Sequence, residues 1–426
     1  MKNWGRFGIA AALLIALAAG LEWTSAKAAG GPVQGEGGPY RVLAPIVSGN
    51  LLLFPVVRAD KEFTGETPFI TLDEGLKSGD VEVTEAGRAR GLVRPRGSVS
   101  PSRQDNRDHV DFDRGDEVNT LVLVNHSKRP LLLLAGEIVT GGKQDRIVAK
   151  DRIVPADADP IDLTVFCIEP GRWTESSDSF GASSKSSKGS FMVQPKVRER
   201  AMVDQDQEQV WDSVHGAISQ MEVAAAPPIS SGQAGAGGSH GEPGSPRTLG
   251  TSSYAKAMQD SSVSEKVDEA AAPVMNAREQ VLTQLRDEHA VGVVVAVRGE
   301  IIWADLFANT DLLSRYWTKL VRSYAAESLT DGEEHPASNV ADAQRFLDAP
   351  SVGTENSEGE VGIYRYRELK SAGAETFVLE SLLPGTGYDV HMSKMKLRGE
   401  ESQNMKPQPT SHPIFRPDFY RPGTIQ

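Results

Sequence analysis

Short apolar runs separated by polar turns occupy most of the chain between Tyr40 and Leu397, and their lengths and alternation predict β-strands. The predicted strands are Val42–Val47, Leu51–Arg58, Val81–Glu85, Val118–Val124, Leu131–Leu134, Ile147–Val154, Ile161–Ile168, Val291–Val297, Ile301–Leu306, Val361–Leu369, Glu375–Leu382 and Tyr388–Leu397. Apolar residues at helical spacing predict four helices, at Pro195–Met221, Ser253–Ala270, Val274–His289 and Thr310–Glu327.

The order of these segments predicts the fold class. Strands come first, then helices, then a hairpin, a helix and closing strands, without the βαβ rhythm of a parallel sheet. We therefore expect an α+β fold with mainly antiparallel sheets and several packed helices, as one large domain over residues 40–400. Residues 224–250 are a low-complexity segment of Gly, Ser and Pro, compatible with a linker between two domains or an insertion within one.

The N-terminus has the three parts of an export signal. Lys2 and Arg6 precede an apolar run of about 15 residues, too short for a membrane span of about 20. Ala26 and Ala28 then form the small-x-small pattern of a signal peptidase site. We expect cleavage near Ala28, removal of residues 1–28, a disordered N-terminus over 29–39, and a periplasmic or extracellular mature chain without a transmembrane segment. The alternative is that the apolar run is retained as an anchor. The tail, 401–426, is Pro-rich.

Charge and cysteine content exclude several classes of function. The chain has 58 acidic and 45 basic residues and a net charge of −13, so it lacks the basic footprint of a nucleic-acid-binding protein. A single Cys, Cys167, excludes an internal disulfide and a Cys₄ or Cys₂His₂ zinc site. The acidic residues at 105–116 lack the closing Glu of a calcium loop, which favours a solvated loop. We predict no metal ligands and no cofactor.

The first candidate for chemistry is the polar segment 134–146, which joins two apolar strands. It contains Glu137 at the edge of an apolar run, the cations Lys143 and Arg146, and Gln144 as donor and acceptor. A carboxylate at a buried rim can act as a general acid or base. The alternative is a structural loop in which Glu137 pairs with Lys143 or Arg146.

The second candidate segment is 167–173, directly after another apolar strand. It contains the acid Glu169, the planar cation Arg172 and the stacking surface of Trp173, a set that suits a flat or phosphorylated ligand. The alternative is a Pro-Gly turn whose Trp packs on the core. Cys167 is expected to be a small buried hydrophobe, and Asp305 is a further candidate carboxylate that could equally cap the next helix.

Taken together, the motifs resemble a family named for its association with ADP-ribosylglycohydrolases and the rhodanese-phosphatase superfamily. The resemblance includes Gly136-Glu137, Gly142-Lys143-Gln144-x-Arg146, Cys167-x-Glu169-x-Gly171-Arg172-Trp173, and Gly299 with Asp305 and Phe307. It implies a link to ADP-ribose and NAD chemistry, without a demonstrated activity. It also implies that the two polar segments converge on one site and that 224–250 is an insertion within one domain.

Two functional hypotheses from different classes follow. In the first, the exported domain binds or hydrolyses an anionic nucleotide- or sugar-like small molecule. Glu137 and Glu169 would then be the catalytic carboxylates, and Lys143, Gln144, Arg146, Arg172, Trp173 and Asp305 would bind the ligand. In the second, it is a non-catalytic cell-envelope protein with a protein partner, and the polar motif is a structural network. Whether the chain is an enzyme stays open at this stage.

Overall fold

The computed structural model describes residues 40–58, 67–88, 119–172, 174–183, 190–226, 248–276, 289–350, 353–371, 373–384, 386 and 388–397. All of them belong to one compact unit, Gly38–Gln426. The segments 1–28, 29–39 and 401–426, the acidic segment 105–116 and most of 224–250 lie outside the described residues. Within the described part, no helix is long and apolar enough to cross a membrane.

The predicted α+β class is confirmed: in the described part of the chain, three sheets, almost entirely antiparallel, pack with helices. The largest sheet has nine strands, in the order β1-β3-β13-β14-β18-β17-β16-β15 with β2 beside β3. These strands are β1 (Tyr40–Val42), β2 (Ile46–Ser48), β3 (Leu51–Arg58), β13 (Ala290–Val297), β14 (Glu300–Phe307), β15 (Thr354–Glu360), β16 (Tyr364–Ser371), β17 (Ala374–Ser381) and β18 (Asp389–Lys396).

Two smaller sheets carry the sequence motifs. The six-stranded sheet, in the order β12-β8-β9-β11-β6-β5, contains β5 (Val81–Glu85), β6 (Thr120–Asn125), β8 (Ile138–Gly141), β9 (Arg146–Val148), β11 (Ile161–Cys167) and β12 (Phe180–Ala182). The three-stranded sheet contains β4 (Ile70–Thr71), β7 (Leu131–Leu133) and β10 (Arg152–Val154), with β4 and β7 parallel.

The helices among the described residues cover both faces of the large sheet. They are α1 (Leu72–Ser78), α2 (Pro195–Glu199), α3 (Gln207–Ala225), α4 (Tyr254–Gln259), α5 (Ser261–Asn276), α6 (Thr310–Ser328) and α7 (Val340–Asp348), and a π-helical turn, Arg200–Asp204, follows α2. The main core lies on the inner face, which α5 and α6 cover, and a smaller core lies on the outer face beneath α7. A buried apolar strand such as β13, whose residues are all buried, needs this cover on both sides.

The close pairing of β13 and β14 fixes the position of Asp305. A Cβ on Gly292 of β13 would lie 2.2 Å from the carbonyl oxygen of Asp305, so only glycine allows this approach. Asp305 pairs with Val293 on one side and with Ser393 of β18 on the other. Its side chain therefore lies on the inner face of the large sheet, in the main core, and does not cap a helix.

The structure differs from the predicted elements at several places. The helix predicted over Pro195–Met221 is interrupted at Gln205, whose φ is 51°, and α3 restarts with Asp206 as its N-cap. The strand predicted over Ile147–Val154 is two strands, because the chain turns between β9 and β10. Of the helix predicted over Val274–His289, residues 277–288 lie outside the described part. Edge strand β15 was not predicted, because six of its seven residues are exposed and no apolar alternation marks it.

Candidate functional site

The two polar segments predicted from the sequence lie side by side in the six-stranded sheet. Strand β9 pairs with β8 on one side and with β11 on the other, so that Arg146 lies opposite Val139 and Cys167. The turn from β8 to β9 depends on Gly142, whose φ is +49° and whose Cβ position would lie 2.3 Å from the Phe180 ring. The sheet register thus brings the turn 142–145 against the segment that follows β11.

Glu169 lies where the two segments meet and contacts several of their charged and polar groups. Its carboxylate contacts Arg172 Nη2 at 2.5 Å and Lys256 Nζ at 2.8 Å, and it accepts a hydrogen bond from the Asp145 amide at 3.2 Å. Burial alone would raise the pKa of Glu169, but the hydrogen bonds from Arg172 and Lys256 lower it below its usual value. Glu169 is therefore an ionised anchor for two cations and a weak candidate for a general acid.

Asp145 has the opposite electrostatic environment. One oxygen accepts from Ser253 Oγ at 2.9 Å, and the other accepts from the Gly141 amide at 3.0 Å and lies 3.6 Å from Arg172 Nη2. Burial, and then the nearby charge of Glu169, raise the pKa of Asp145. Two neighbouring carboxylates whose environments push their pKa values apart are the usual arrangement of a proton-transfer site.

Gln144 is buried and has an oriented but unpartnered acceptor. Its Nε2 donates to the Glu169 carbonyl at 3.1 Å, which fixes the orientation of the carboxamide. Its Oε1 is buried and has no hydrogen-bond partner in the described part of the chain. The same holds for Arg172 Nε, although Arg172 Nη1 donates to the carbonyls of Gly142 (3.1 Å) and Thr174 (2.8 Å). The cluster therefore contains one unpartnered acceptor and one unpartnered donor among the described residues.

Arg146 and Lys143 complete the cationic side. Arg146 is fully buried beside Cys167 and Glu85, and its burial lowers the pKa of the guanidinium. Lys143 donates through its backbone amide to Glu85 Oε1 at 2.9 Å. We call the group formed by the following residues the Arg172 cluster: Glu85, Lys143, Gln144, Asp145, Arg146, Glu169, Arg172, Ser253 and Lys256. The cluster contains four cationic and three acidic residues, a small positive excess in a chain of net charge −13.

Glu137 lies apart from this cluster, and its ion pair differs from the one expected for a structural loop. Its fully buried carboxylate contacts Lys319 Nζ of α6 at 2.5 Å and accepts from the Leu134 amide at 2.8 Å. Lys319 also contacts Asp73 at 2.7 Å. Burial raises the pKa of the Glu137 carboxyl. Burial alone would lower the pKa of the Lys319 ammonium, but Asp73 and Glu137 raise it above its usual value. Glu137 thus joins the six-stranded sheet to α6 and is enclosed.

Asp305 is the centre of a second enclosed network. It contacts Arg198 Nη1 at 2.9 Å, the Tyr324 hydroxyl at 2.5 Å, Ser393 Oγ at 2.8 Å and His391 Nε2 at 3.2 Å. His391 Nδ1 contacts Asp151 at 2.6 Å. Burial alone would raise the pKa of Asp305, but Arg198 and His391 lower it, and the two aspartates raise the pKa of His391 against the effect of burial.

Of the predicted site residues, the structure brings together Lys143, Gln144, Arg146, Glu169 and Arg172. It places Glu137 and Asp305 in two separate buried networks, and Trp173 lies outside the described residues. Sequence reasoning missed Asp145, Ser253 and Lys256. Asp145 stands inside the polar segment, and Ser253 shows the pattern of an N-cap, whereas no local signal points to Lys256.

Among the residues that the structure describes, no group of three or more His, Cys, Asp or Glu side chains is placed to hold a metal ion. Cys167 is buried, as expected. Burial raises the pKa of its thiol, which argues against a nucleophilic role.

Residues 39–395 match ARPP-1, the ARG and Rhodanese-Phosphatase-superfamily-associated Protein domain. The match covers most of the chain and confirms the resemblance drawn from the motifs. No curated protein and no solved structure matches the chain.

Proposed function

The chain belongs to the ARPP-1 family, and we propose that it is an exported domain that binds an anionic, hydroxyl-bearing small molecule at the Arg172 cluster. The ligand class is that of nucleotides and sugar phosphates, with ADP-ribose and NAD as the first candidates, in line with the association in the family's name. The positive excess of the cluster supports an anion as the ligand. Arg172, with its planar guanidinium, and Lys256, with a side chain 58% exposed, are the cations that could meet it.

The observation that carries the proposal is the buried oxygen of Gln144. A buried acceptor without a partner costs about 1–3 kcal/mol, so it is retained only where something else compensates. A ligand hydroxyl or amine would supply the missing donor, and an ester or phosphate oxygen would accept from Arg172 Nε. A sugar phosphate or nucleotide carries both kinds of group close together.

If the domain also hydrolyses its ligand, Asp145 is the residue that we propose for proton transfer. Its raised pKa supports this role, whereas Glu169 is held ionised by two cations. Glu169 would then orient Arg172 and Lys256. Glu137, the other carboxylate that the sequence offers for catalysis, is too enclosed in its ion pair with Lys319 to support that role.

The test is calorimetric titration of the mature chain, from about residue 29, with ADP-ribose, NAD and sugar phosphates. A ligand at 100 times its Kd should stabilise the fold by about 2.7 kcal/mol. Arg172→Gln should weaken binding about tenfold or more, because a charge-assisted hydrogen bond is lost. Arg345→Gln is the matched control, because Arg345 makes an exposed ion pair with Asp342 on α7. Unchanged affinity in Arg172→Gln, or no binding across the panel, would refute the proposal.

A second variant separates ligand binding from structural support. Gln144→Met keeps the volume and removes the unpartnered oxygen, at the loss of the hydrogen bond to the Glu169 carbonyl. If the oxygen serves a ligand, affinity should fall while the melting temperature of the free protein changes little. A large drop in melting temperature with unchanged affinity would favour the alternative of a non-catalytic envelope domain, which the enclosed networks of Glu137 and Asp305 support.

We also propose that the protein is exported. Three features of the N-terminus support this: the basic residues Lys2 and Arg6, the apolar run that follows them, and the peptidase pattern Ala26-Lys27-Ala28. N-terminal sequencing of the protein recovered from the periplasm or medium of an expressing bacterium should begin near residue 29. Recovery of the uncleaved chain from the cytoplasm would contradict it.

A further inference from the structure

The two atoms on which the proposed ligand site depends are both enclosed. Gln144 Oε1 and Arg172 Nε are buried and have no hydrogen-bond partner among the described residues. A ligand can therefore reach them only if an element that covers the Arg172 cluster moves. Two elements that contact the cluster are candidates: helix α4, which carries Lys256, and the segment 174–179, which precedes strand β12.

The segment 174–179, which we call the strap, is the element that can move at the lower cost. All six of its residues are exposed, and none of them belongs to a hydrophobic core. Helix α4, in contrast, buries Tyr254, Ala257 and Met258 in the main core. Local opening costs least where few apolar groups are buried, so the strap should open before α4 does.

A few hydrogen bonds hold the strap against the turn of the Arg172 cluster. The Ser176 amide donates to the Gly142 carbonyl at 2.8 Å, and the Gly142 amide donates to Ser177 Oγ at 3.1 Å. The Thr174 carbonyl accepts from Arg172 Nη1 at 2.8 Å. The strap therefore engages the same guanidinium that we propose for the ligand.

Arg88, three residues after the end of β5, holds both acidic residues of the strap. Arg88 Nη2 lies 2.6 Å from the Glu175 carboxylate, and Arg88 Nη1 contacts the Asp178 carboxylate. Thr84 Oγ1 adds a hydrogen bond to the Asp178 carbonyl at 3.2 Å. Arg88, Glu175 and Asp178 are all exposed, and exposed ion pairs are weak because water and salt screen them. The strap is thus fastened in place, but only weakly.

We propose that the strap is a gate over the Arg172 cluster and that Arg88 is its latch. The proposal rests on the proposed function, since it states how an anionic ligand such as a sugar phosphate reaches Arg172 Nε and Gln144 Oε1. When the strap lifts, Arg88 releases its two acids and Arg172 loses its contact with the Thr174 carbonyl, so that the ligand can enter. Because only the open form admits the ligand, the fraction of open protein sets the rate of association.

The test compares the association rates of ADP-ribose with the mature chain and its variants, measured by surface plasmon resonance. Arg88→Gln releases both acids of the strap, and Ser177→Ala removes the acceptor of the Gly142 amide. Each should raise the association rate about threefold or more, because each favours the open form. Loss of a cation would by itself slow the approach of an anion, so a faster rate in Arg88→Gln cannot come from long-range attraction.

The matched control is Arg345→Gln, because Arg345 makes an exposed ion pair with Asp342 on α7, and its association rate should equal that of the wild type. Hydrogen exchange of the Ser176 amide measures opening of the strap without any ligand. It should be faster in Arg88→Gln than in the wild type and in the control.

Unchanged exchange of the Ser176 amide in Arg88→Gln would overturn the gate. So would unchanged association rates in both Arg88→Gln and Ser177→Ala while the wild type binds ADP-ribose, a result that would leave binding at the Arg172 cluster standing. Binding by Arg88→Gln under conditions in which the wild type shows none would support the gate. Absence of binding in the wild type and in both variants, with ADP-ribose, NAD and sugar phosphates alike, would refute the proposed function and the gate with it.

Discussion

The buried ion pair between Glu137 and Lys319 should stabilise the fold, and a double-mutant cycle can measure its contribution. Glu137 is fully buried, and the Lys319 side chain is 5% exposed. Glu137→Gln keeps the shape of the side chain and its hydrogen-bonding capacity but removes the charge. Lys319→Met keeps most of the length of the aliphatic chain and removes the ammonium. The double variant removes both charges at once.

The expected magnitudes follow from which partner each change leaves behind. Breaking a buried ion pair by removing one member costs about 3–5 kcal/mol. Glu137→Gln should lie near the lower limit, at about 3 kcal/mol, because Lys319 keeps Asp73 at 2.7 Å. Lys319→Met leaves Glu137 with only a backbone donor, and because burial raises its pKa, Glu137 can take up a proton and limit the cost.

The double variant should be less destabilised than the sum of the two single variants by about 2 kcal/mol, since no buried charge is left unpaired. A domain of roughly 350 residues has an unfolding entropy of about 0.7 kcal/mol/K, so a loss of about 3 kcal/mol lowers Tm by roughly 4 °C. Urea unfolding measures the free energies, and thermal unfolding measures the shift in Tm.

The control uses the same two substitutions at an exposed pair. Glu269→Gln and Lys266→Met alter an ion pair on α5 whose side chains are 70% and 45% exposed, and no coupling between them should be measurable. The reasoning is refuted if the losses in unfolding free energy caused by Glu137→Gln and Lys319→Met simply add in the double variant. It is also refuted if those losses are no larger than the losses in the control pair, because burial would then not strengthen this ion pair.

Three further predictions concern the turn, the titration of a buried acid and the thiol. Gly142→Ala should lower Tm and weaken binding of sugar phosphates, because a Cβ would lie 2.3 Å from the Phe180 ring at a positive φ; unchanged calorimetric affinity would contradict this. Burial and the neighbouring Glu368 raise the pKa of Glu375 from 4.5 to about 8, so its native state holds a proton that the unfolded chain releases. Stability should therefore fall as the pH rises from about 4.5 to about 8, and Glu375→Gln should gain in Tm relative to wild type across that window. Cys167, buried and with a raised pKa, should react with a thiol reagent only as fast as the protein unfolds, and rapid labelling of the native state would contradict its placement.

The parts of the fold that the sequence predicts well are those in which one physical signal dominates. Apolar residues at helical spacing predict α6. The five residues of that face are all buried: Leu312, Leu313, Tyr316, Leu320 and Tyr324. The continuous apolar runs around Arg298-Gly299-Glu300 predict the β13–β14 hairpin, which the structure confirms. Helix α7 and strand β15 escape prediction, because α7 is short and β15 is held by its pairing with β16 and not by an apolar face. In both, tertiary contacts supply the order that local patterning lacks.

The convergence of the two polar segments could be expected from the family resemblance, although 134–146 follows β7 of the three-stranded sheet and 167–173 follows β11 of the six-stranded sheet. The partners of their charged groups could not. Ser253 and Lys256 reach the Arg172 cluster from α4, more than eighty residues after Glu169 along the chain. Only the packing of α4 against the end of β11 brings them there, through the hydrogen bond from the Tyr254 amide to the Ile168 carbonyl.

The register of β8 and β9 explains why Glu137 does not pair with its neighbours in sequence. Val139 lies opposite Arg146, and the Val148 amide donates to the Glu137 carbonyl, so Arg146 and Glu137 stand two positions apart along the ladder. Arg146 lies beside Cys167 and Glu85, whereas the Glu137 side chain meets α6. Nearness in sequence suggested a local ion pair, but the strand pairing sets the two side chains two ladder positions apart, where each meets different partners. The same register places Gln144 in the turn between β8 and β9, where its amide group donates to the Glu169 carbonyl and joins the two polar segments.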